Sequence, residues 1–238
     1  MDADLAAAFE ETWPAAEYAD AGGFRVGRGM GAGGRVSSAR VIGPWSADDI
    51  PAVEAIHRAW GQRPMFRALD DDGDLIAALE AAGYMRETPT AIMAAPVAAL
   101  TDLPLPPITT FAVWPPLAIQ REIWATGNIG PSRQAVIDHT PQPKAALLGR
   151  IDDRAAGAAF VALHGPVAMV HGVEVLAGFR RRGMAGWLMR QAGFWAAEQD
   201  AGRVGLAVSR ANTGARATYD RLGFTEVAGY GYYARPEG

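Results

Sequence analysis

The sequence predicts an α/β fold, a mixed and mostly antiparallel central sheet flanked by helices, arranged as a tandem of a reduced N-terminal half and a complete C-terminal half. Three observations carry this. In the C-terminal half, three strand-like segments joined by tight turns are followed by helix, strand, helix and strand. Apolar residues recur at helical spacing between the third and fourth of those strands. An order of strand, helix, Gly-aromatic and strand occurs twice, 140 residues apart.

In the first half, residues 27–34 (GRGMGAGG) are glycine-dense. They lack the GxxxxGK[ST] spacing of a phosphate loop, and no long apolar helix follows at once, so they read as a flexible hairpin loop. Residues 35–42 read as a strand. A helix is expected over 48–60, with Ser46 as N-cap and Ile50, Val53, Ile56 and His57 on one face. Residues 75–82 form a further apolar helix, ended by Gly83-Tyr84, and extended chain then runs to Pro96.

Prolines at 104, 106 and 107, then at 115 and 116, withhold backbone donors and favour extended chain. They mark a boundary, giving halves 1–103 and 104–238. Beyond it, 116–125 and 132–138 are helical candidates. Strands are expected at 145–150, 156–163 and 167–175, turned by Asp152-Asp153 and by His164-Gly165-Pro166. A helix over 183–199 carries the stripe Met184, Leu188, Ala192 and Trp195. Strand 203–208, helix 213–222 and strand 226–234 complete the half.

Gly83 corresponds to Gly223, Tyr84 to Phe224 and Pro96 to Pro236, all at an offset of 140. At the same offset, 65–69 matches 205–209. The expectation is a degenerate internal duplication in which 65–96 and 205–236 share a strand–helix–strand form.

Composition narrows the chemistry. With 26 acidic against 22 basic residues the net charge is −4, and no polybasic run is present, which argues against nucleic acid or an anionic membrane as partner. Cysteine is absent, so disulfides, thiolate metal sites and a cysteine nucleophile are excluded. The four histidines show no HxxxH or HxH spacing, so no metal is expected. The start, Met1-Asp2-Ala3-Asp4-Leu5, lacks the blocks of a secretion signal, and no stretch reaches the roughly 18 apolar residues of a span. A cytoplasmic protein without membrane contact is expected.

The strongest chemical signal runs from Val173 to Gly186, VEVLAGFRRRGMAG. A buried strand ends, and Arg180, Arg181 and Arg182 with small residues turn the chain into an amphipathic helix. The first N–H groups of a helix have no internal partner and sit at the positive end of its dipole. Gly183, Ala185 and Gly186 let a ligand approach that backbone. Such an end suits a pyrophosphate, although an arginine-rich solvated turn has the same residues.

Arg180-Arg181-Arg182-Gly183-Met184-Ala185 resembles the [Q/R]-x-x-G-x-[G/A] signature of the GNAT superfamily of N-acetyltransferases. The resemblance implies acetyl-CoA as co-substrate, with its pyrophosphate on the backbone of 181–186 and its pantetheine arm along Val175. A second element follows: Asn212, Ala215, Tyr219 and Leu222-Gly223-Phe224 resemble the family's N-x-x-A-x-x-x-Y-x-x-x-G-F. It implies a cofactor contact for Asn212, and for Tyr219 a place beside the thioester sulfur as proton donor. A phenol with a pKa near 10 is independently a sensible acid for a thiolate. The first half resembles the reduced N-terminal repeat of two-part family members. There Leu79 replaces Tyr219, and nothing near Asp48 matches the signature. That half therefore carries no recognisable chemistry and is expected to shape the acceptor pocket.

Amine attack on a thioester needs a neutral nitrogen. Glu174 is the candidate general base, with His171 or water as alternatives. In a regular strand Glu174 and His171 face opposite sides, so one of them reaches the site unless a bulge alters the parity. Two readings follow. The leading one is direct, sequential acetyl transfer from acetyl-CoA to a primary amine of a small molecule or peptide. The other is a catalytically silent acetyl-CoA-binding or interaction module.

Overall fold

Local turn chemistry builds the hairpins. Asp152 and Asp153 adopt left-handed backbone, with φ of 50° and 56°, and the next reversal uses Gly165 at φ 53°. The computed structural model describes residues 1–236, so 237 and 238, the end of the expected C-terminal half, lie outside the described residues.

The chain packs as two compact units that interleave in sequence. One comprises Pro14–Ala91, Ser209–Ala211 and the segment from Ala228; the other comprises Met1–Trp13, Ile92–Val208 and Asn212–Val227. The first unit contains strands β1 (Glu17–Ala21), β2 (Phe24–Arg28), β3 (Ala39–Val41) and β4 (Met65–Leu69). β1, β2 and β3 run antiparallel in turn, and β3 meets β4 in parallel at Ala39↔Phe66. Helix Ile50–Ala59 follows a capping box between Ser46 and Asp49. Of the predicted face it buries Ile50, Val53 and His57 and leaves Ile56 partly buried. Phe66 stands edge-on to Phe24 and Tyr84 at centroid distances of 5.5 and 5.2 Å. Each such pair adds about 0.5–1.5 kcal/mol beyond area burial.

One element departs from expectation. Residues 35–42 are not one strand: Gly34–Ser37 is a short helix, and only Ala39–Val41 is extended. Val36 is buried by that turn, and its carbonyl closes on the backbone of Gly27, where a side chain would collide. Glycines that looked like slack in a hairpin are close-packed against the next segment.

Strand β5 (Met85–Pro96) passes from the first unit into the second at Ile92. The second unit holds β6 (Thr110–Val113), β7 (Lys144–Ile151), β8 (Arg154–His164), β9 (Val167–Val175) and β10 (Arg203–Ser209). β6 through β9 are successive antiparallel neighbours, and β9 and β10 are parallel. Helix Met184–Glu198 lies on β7, β8 and β9 and buries the predicted stripe of Met184, Leu188, Ala192 and Trp195. Helices Ala118–Thr126 and Ala3–Glu11 pack on β8 and β9. In both units the sheet is mixed and mostly antiparallel, with helices against it. No helix among the described residues is long and apolar enough to cross a membrane.

The internal repeat is visible in atomic detail. Helices Gly73–Ala81 and Thr213–Arg221 are N-capped by Asp72 and Asn212, which accept from Leu75 N at 3.3 Å and Ala215 N at 3.1 Å. Both end at a left-handed glycine, Gly83 at φ 82° and Gly223 at φ 83°. Tyr84 N then donates to Leu79 O at 3.0 Å and Phe224 N to Tyr219 O at 3.1 Å. The last strands are exchanged. β11 (Thr225–Ala234), from the C-terminal repeat, pairs antiparallel with β4, and β5 lies beside β10.

Candidate active site

Parallel pairing of β9 with β10 runs from Val167↔Arg203 to Val170↔Leu206 and then stops, although β9 continues to Val175 and β10 to Ser209. The strands part where β9 bulges. Phe160 pairs with His171 and Ala158 with Glu174, so β9 carries one extra residue against β8. Gly172 takes φ 56° within the bulge, a region that favours glycine, and its carbonyl accepts from Trp124 Nε1 at 2.9 Å. The extra residue reverses the parity argued from sequence. His171 and Glu174 face the same side.

The end of β9, the turn after it and helix Thr213–Arg221 line a cleft of about 840 Å³. Its walls include Glu174, Val175, Arg180, Arg181, Gly183, Met184, Ala185, Gly186, Asn212 and Tyr219, residues singled out from the sequence. Phe179, Gly214, Thr218 and Arg221 line it as well and were not foreseen; a solvent-facing helix residue such as Arg221 carries no pattern that marks it. The Arg182 side chain turns elsewhere. Its guanidinium pairs with Asp152 Oδ2 at 2.9 Å, beside Arg150 and Trp187 in a neighbouring hollow.

At the turn, Gly183 is the N-cap of helix Met184–Glu198 with φ 83°, and Arg181 precedes it at φ 61°. The first intrahelical bond at this end is Trp187 N to Gly183 O at 3.2 Å. The N–H groups of Met184, Ala185 and Gly186 are therefore left for a ligand. Gly183 and Gly186 have open space on the side where a Cβ would stand, save for Trp187 Nε1 at 4.0 Å from Gly183. Free donors, a helix dipole and adjacent cations fit a pyrophosphate. The corresponding helix start in the first unit is closed. Asp49 Oδ2 accepts there from Ser46 N at 3.0 Å and Gly23 N at 3.4 Å, a built-in carboxylate where an anion would bind.

Glu174 is mostly buried, its side chain 17% exposed. Arg180 donates through Nη2 to Glu174 Oε1 at 3.1 Å and through Nε to the Val175 carbonyl at 2.9 Å. On the other side lies Gly127, where a methyl group would overlap the Glu174 carboxylate. His171, 8% exposed, is held by Thr12 Oγ1 at 2.9 Å and by ring contacts with Trp13 and Phe160. Neither Gly127 nor Trp124 was legible as a site residue, because each acts through tertiary contact with β9.

Tyr219 is 7% exposed and rests on Phe224 at 5.8 Å between ring centroids. Burial pushes its phenol up to about 12, so the hydroxyl keeps its proton at neutral pH. Asn212 spends its side-chain oxygen on Ala215 N as the helix cap. Its NH₂ group remains available as a donor.

The acetyltransferase (GNAT) family matches this sequence over residues 109–224. Solved structures with the same fold include a GCN5-related N-acetyltransferase of Kribbella flavida, with TM-score 0.71 and 19% identity, covering 99% of this chain and 92% of that one. A tandem GNAT protein from the clavulanic acid biosynthesis pathway gives TM-score 0.60 at 14% identity, over 84% of this chain and 76% of that one. A GNAT-family acetyltransferase from Colwellia psychrerythraea gives 0.56 at 11% identity, over 84% and 77%. No curated protein matches the sequence. The GNAT acetyltransferase match over residues 109–224 takes in the parted strands, the signature turn and Tyr219, and marks an acyltransferase domain there.

Proposed function

We propose that the protein transfers an acetyl group from acetyl-CoA to the primary amine of a small molecule or peptide, directly and without a covalent enzyme intermediate. The observation that carries this is the cleft. It collects a helix start with free N–H groups, a carboxylate and a protonated phenol. Residues 104–238 supply this site, and residues 1–103 form a degenerate GNAT-like half.

Acetyl-CoA supplies the activated acetyl group. The backbone of 181–186 holds the pyrophosphate, with Arg180 and Arg181 adding charge and Asn212 a side-chain donor. The Val175 main chain aligns the pantetheine arm. Glu174 takes the proton from the amine as it attacks the acetyl carbon. The Tyr219 hydroxyl donates to the thiolate as the carbon–sulfur bond breaks. The missing cysteine fits this route, since no thiol nucleophile is required. Release of free thiol from acetyl-CoA, followed over a panel of primary amines, tests the proposal. Amine-dependent release that Glu174→Gln abolishes is expected. Tight acetyl-CoA binding without turnover of any amine would leave a silent binding module.

A further inference from the structure

One side chain occupies two groups the proposed reaction needs. Arg180 donates Nε to the Val175 carbonyl at 2.9 Å and Nη2 to Glu174 Oε1 at 3.1 Å. Resting on the acetyl-CoA reading above, we propose that Arg180 is a latch that coenzyme A must open. Before coenzyme A binds, it holds the general base in an ion pair and covers the carbonyl beside the pantetheine path. On loading, its guanidinium moves to the cofactor's phosphates, and Glu174 is released to accept the amine proton.

The geometry favours a contact that can be exchanged. The Arg180 side chain is 61% exposed, so its head moves without repacking the core, whereas the Glu174 side chain is 17% exposed and fixed. Arg180 lies one residue before the pyrophosphate backbone, so a long flexible side chain reaches either partner. Glu174 cannot follow the guanidinium. Gly127 closes one side of its carboxylate, and the bulge at Gly172, pinned by Trp124 Nε1, fixes the strand that carries it. The titratable residue on the same face of that strand, His171, is engaged by Thr12. A half-exposed ion pair is weak in water, while several phosphate oxygens beside a helix N-terminus make a stronger partner for a guanidinium. Arg180 is thus a positioning residue that makes the base available only once the cofactor is bound.

The test is a double-mutant cycle read by coenzyme A affinity, using calorimetry on the full chain. If the ion pair must break on binding, Glu174→Gln removes that cost and tightens coenzyme A roughly two- to fivefold. In an Arg180→Met background the same Glu174→Gln change should leave affinity unaltered, because nothing is left to release. Equal tightening in both backgrounds would overturn the latch, since it would report only the loss of a negative charge near the phosphates. Unchanged affinity in Glu174→Gln alone would overturn it as well. Wild-type protein that binds no coenzyme A removes the acetyl-CoA reading itself and the latch with it. Binding that remains intact without coupling leaves that reading standing and removes the latch alone.

Discussion

Replacing Tyr219 by phenylalanine removes one oxygen and leaves the ring against Phe224. Among the described residues the Tyr219 hydroxyl has no hydrogen-bond partner, and burial alone raises its phenol to about 12. Its loss therefore breaks no bond within the protein, and stability should change by less than about 1 kcal/mol. The same burial bears on the chemistry, because it disfavours a bare thiolate there as it disfavours a bare phenolate. Tyr219 then acts chiefly by donating a hydrogen bond to the charge that grows on sulfur as the bond breaks. Removing one such donor from a preorganised, dry site typically costs 10²–10³-fold in kcat. We expect Tyr219→Phe to lower kcat about a hundredfold, with little change in acetyl-CoA affinity and no unfolding. The assay is thiol release at saturating amine beside calorimetric titration of acetyl-CoA. An unchanged kcat would make Tyr219 a packing residue. A folded variant that keeps kcat but loses affinity would make it a cofactor contact.

Four further outcomes follow from the geometry. Gly183→Asp places a carboxylate where the pyrophosphate sits; its Cβ has room, so the protein should fold at a cost of about 1–2 kcal/mol for the left-handed backbone, yet acetyl-CoA binding should weaken more than about tenfold. Unchanged calorimetric affinity would remove the turn from the site. Gly127→Ala drives a methyl into the Glu174 carboxylate and should cost at least roughly tenfold in kcat, and a folded variant with full turnover would show that Glu174 is not the base. Asn212→Ala loses the cap on Ala215 N and should destabilise the protein by about 1 kcal/mol by urea titration; acetyl-CoA affinity unchanged in that variant would confine Asn212 to capping. His57 is fully buried, and burial outweighs the Ser37 and Val53 carbonyls and Glu54 in holding its pKa below the usual histidine value. The unfolded chain then takes up this proton first, so stability should fall as pH drops below about 6.5 toward the folded value. Urea midpoints should show that slope and lose it in His57→Gln, and an identical slope in the variant would clear His57 of the effect.

The sequence by itself determined the elements whose causes are local. Helix Thr213–Arg221 was legible from its spacing and the glycine behind it, and the same signals at an offset of 140 disclosed its partner Gly73–Ala81. The turn at Arg180 to Ala185 was legible because helix-end donors, arginines and small residues are adjacent along the chain. Tertiary structure decided everything that depends on which strands meet. Pairing partners are chosen by packing across long separations, so nothing local announces that β11 pairs with β4, or that β9 and β10 part after Val170. The bulge is the sharpest case. Glycine at 172 permits a left-handed residue but does not require one; the pairing of β8 with β9 and the Trp124 hydrogen bond impose it, and only that extra residue turns Glu174 and His171 to one face. Gly127 and Arg180, which bracket the Glu174 carboxylate, lie 47 residues before it and six after it in sequence. Their meeting is a property of the folded chain, because contact between distant segments follows from the core they jointly bury.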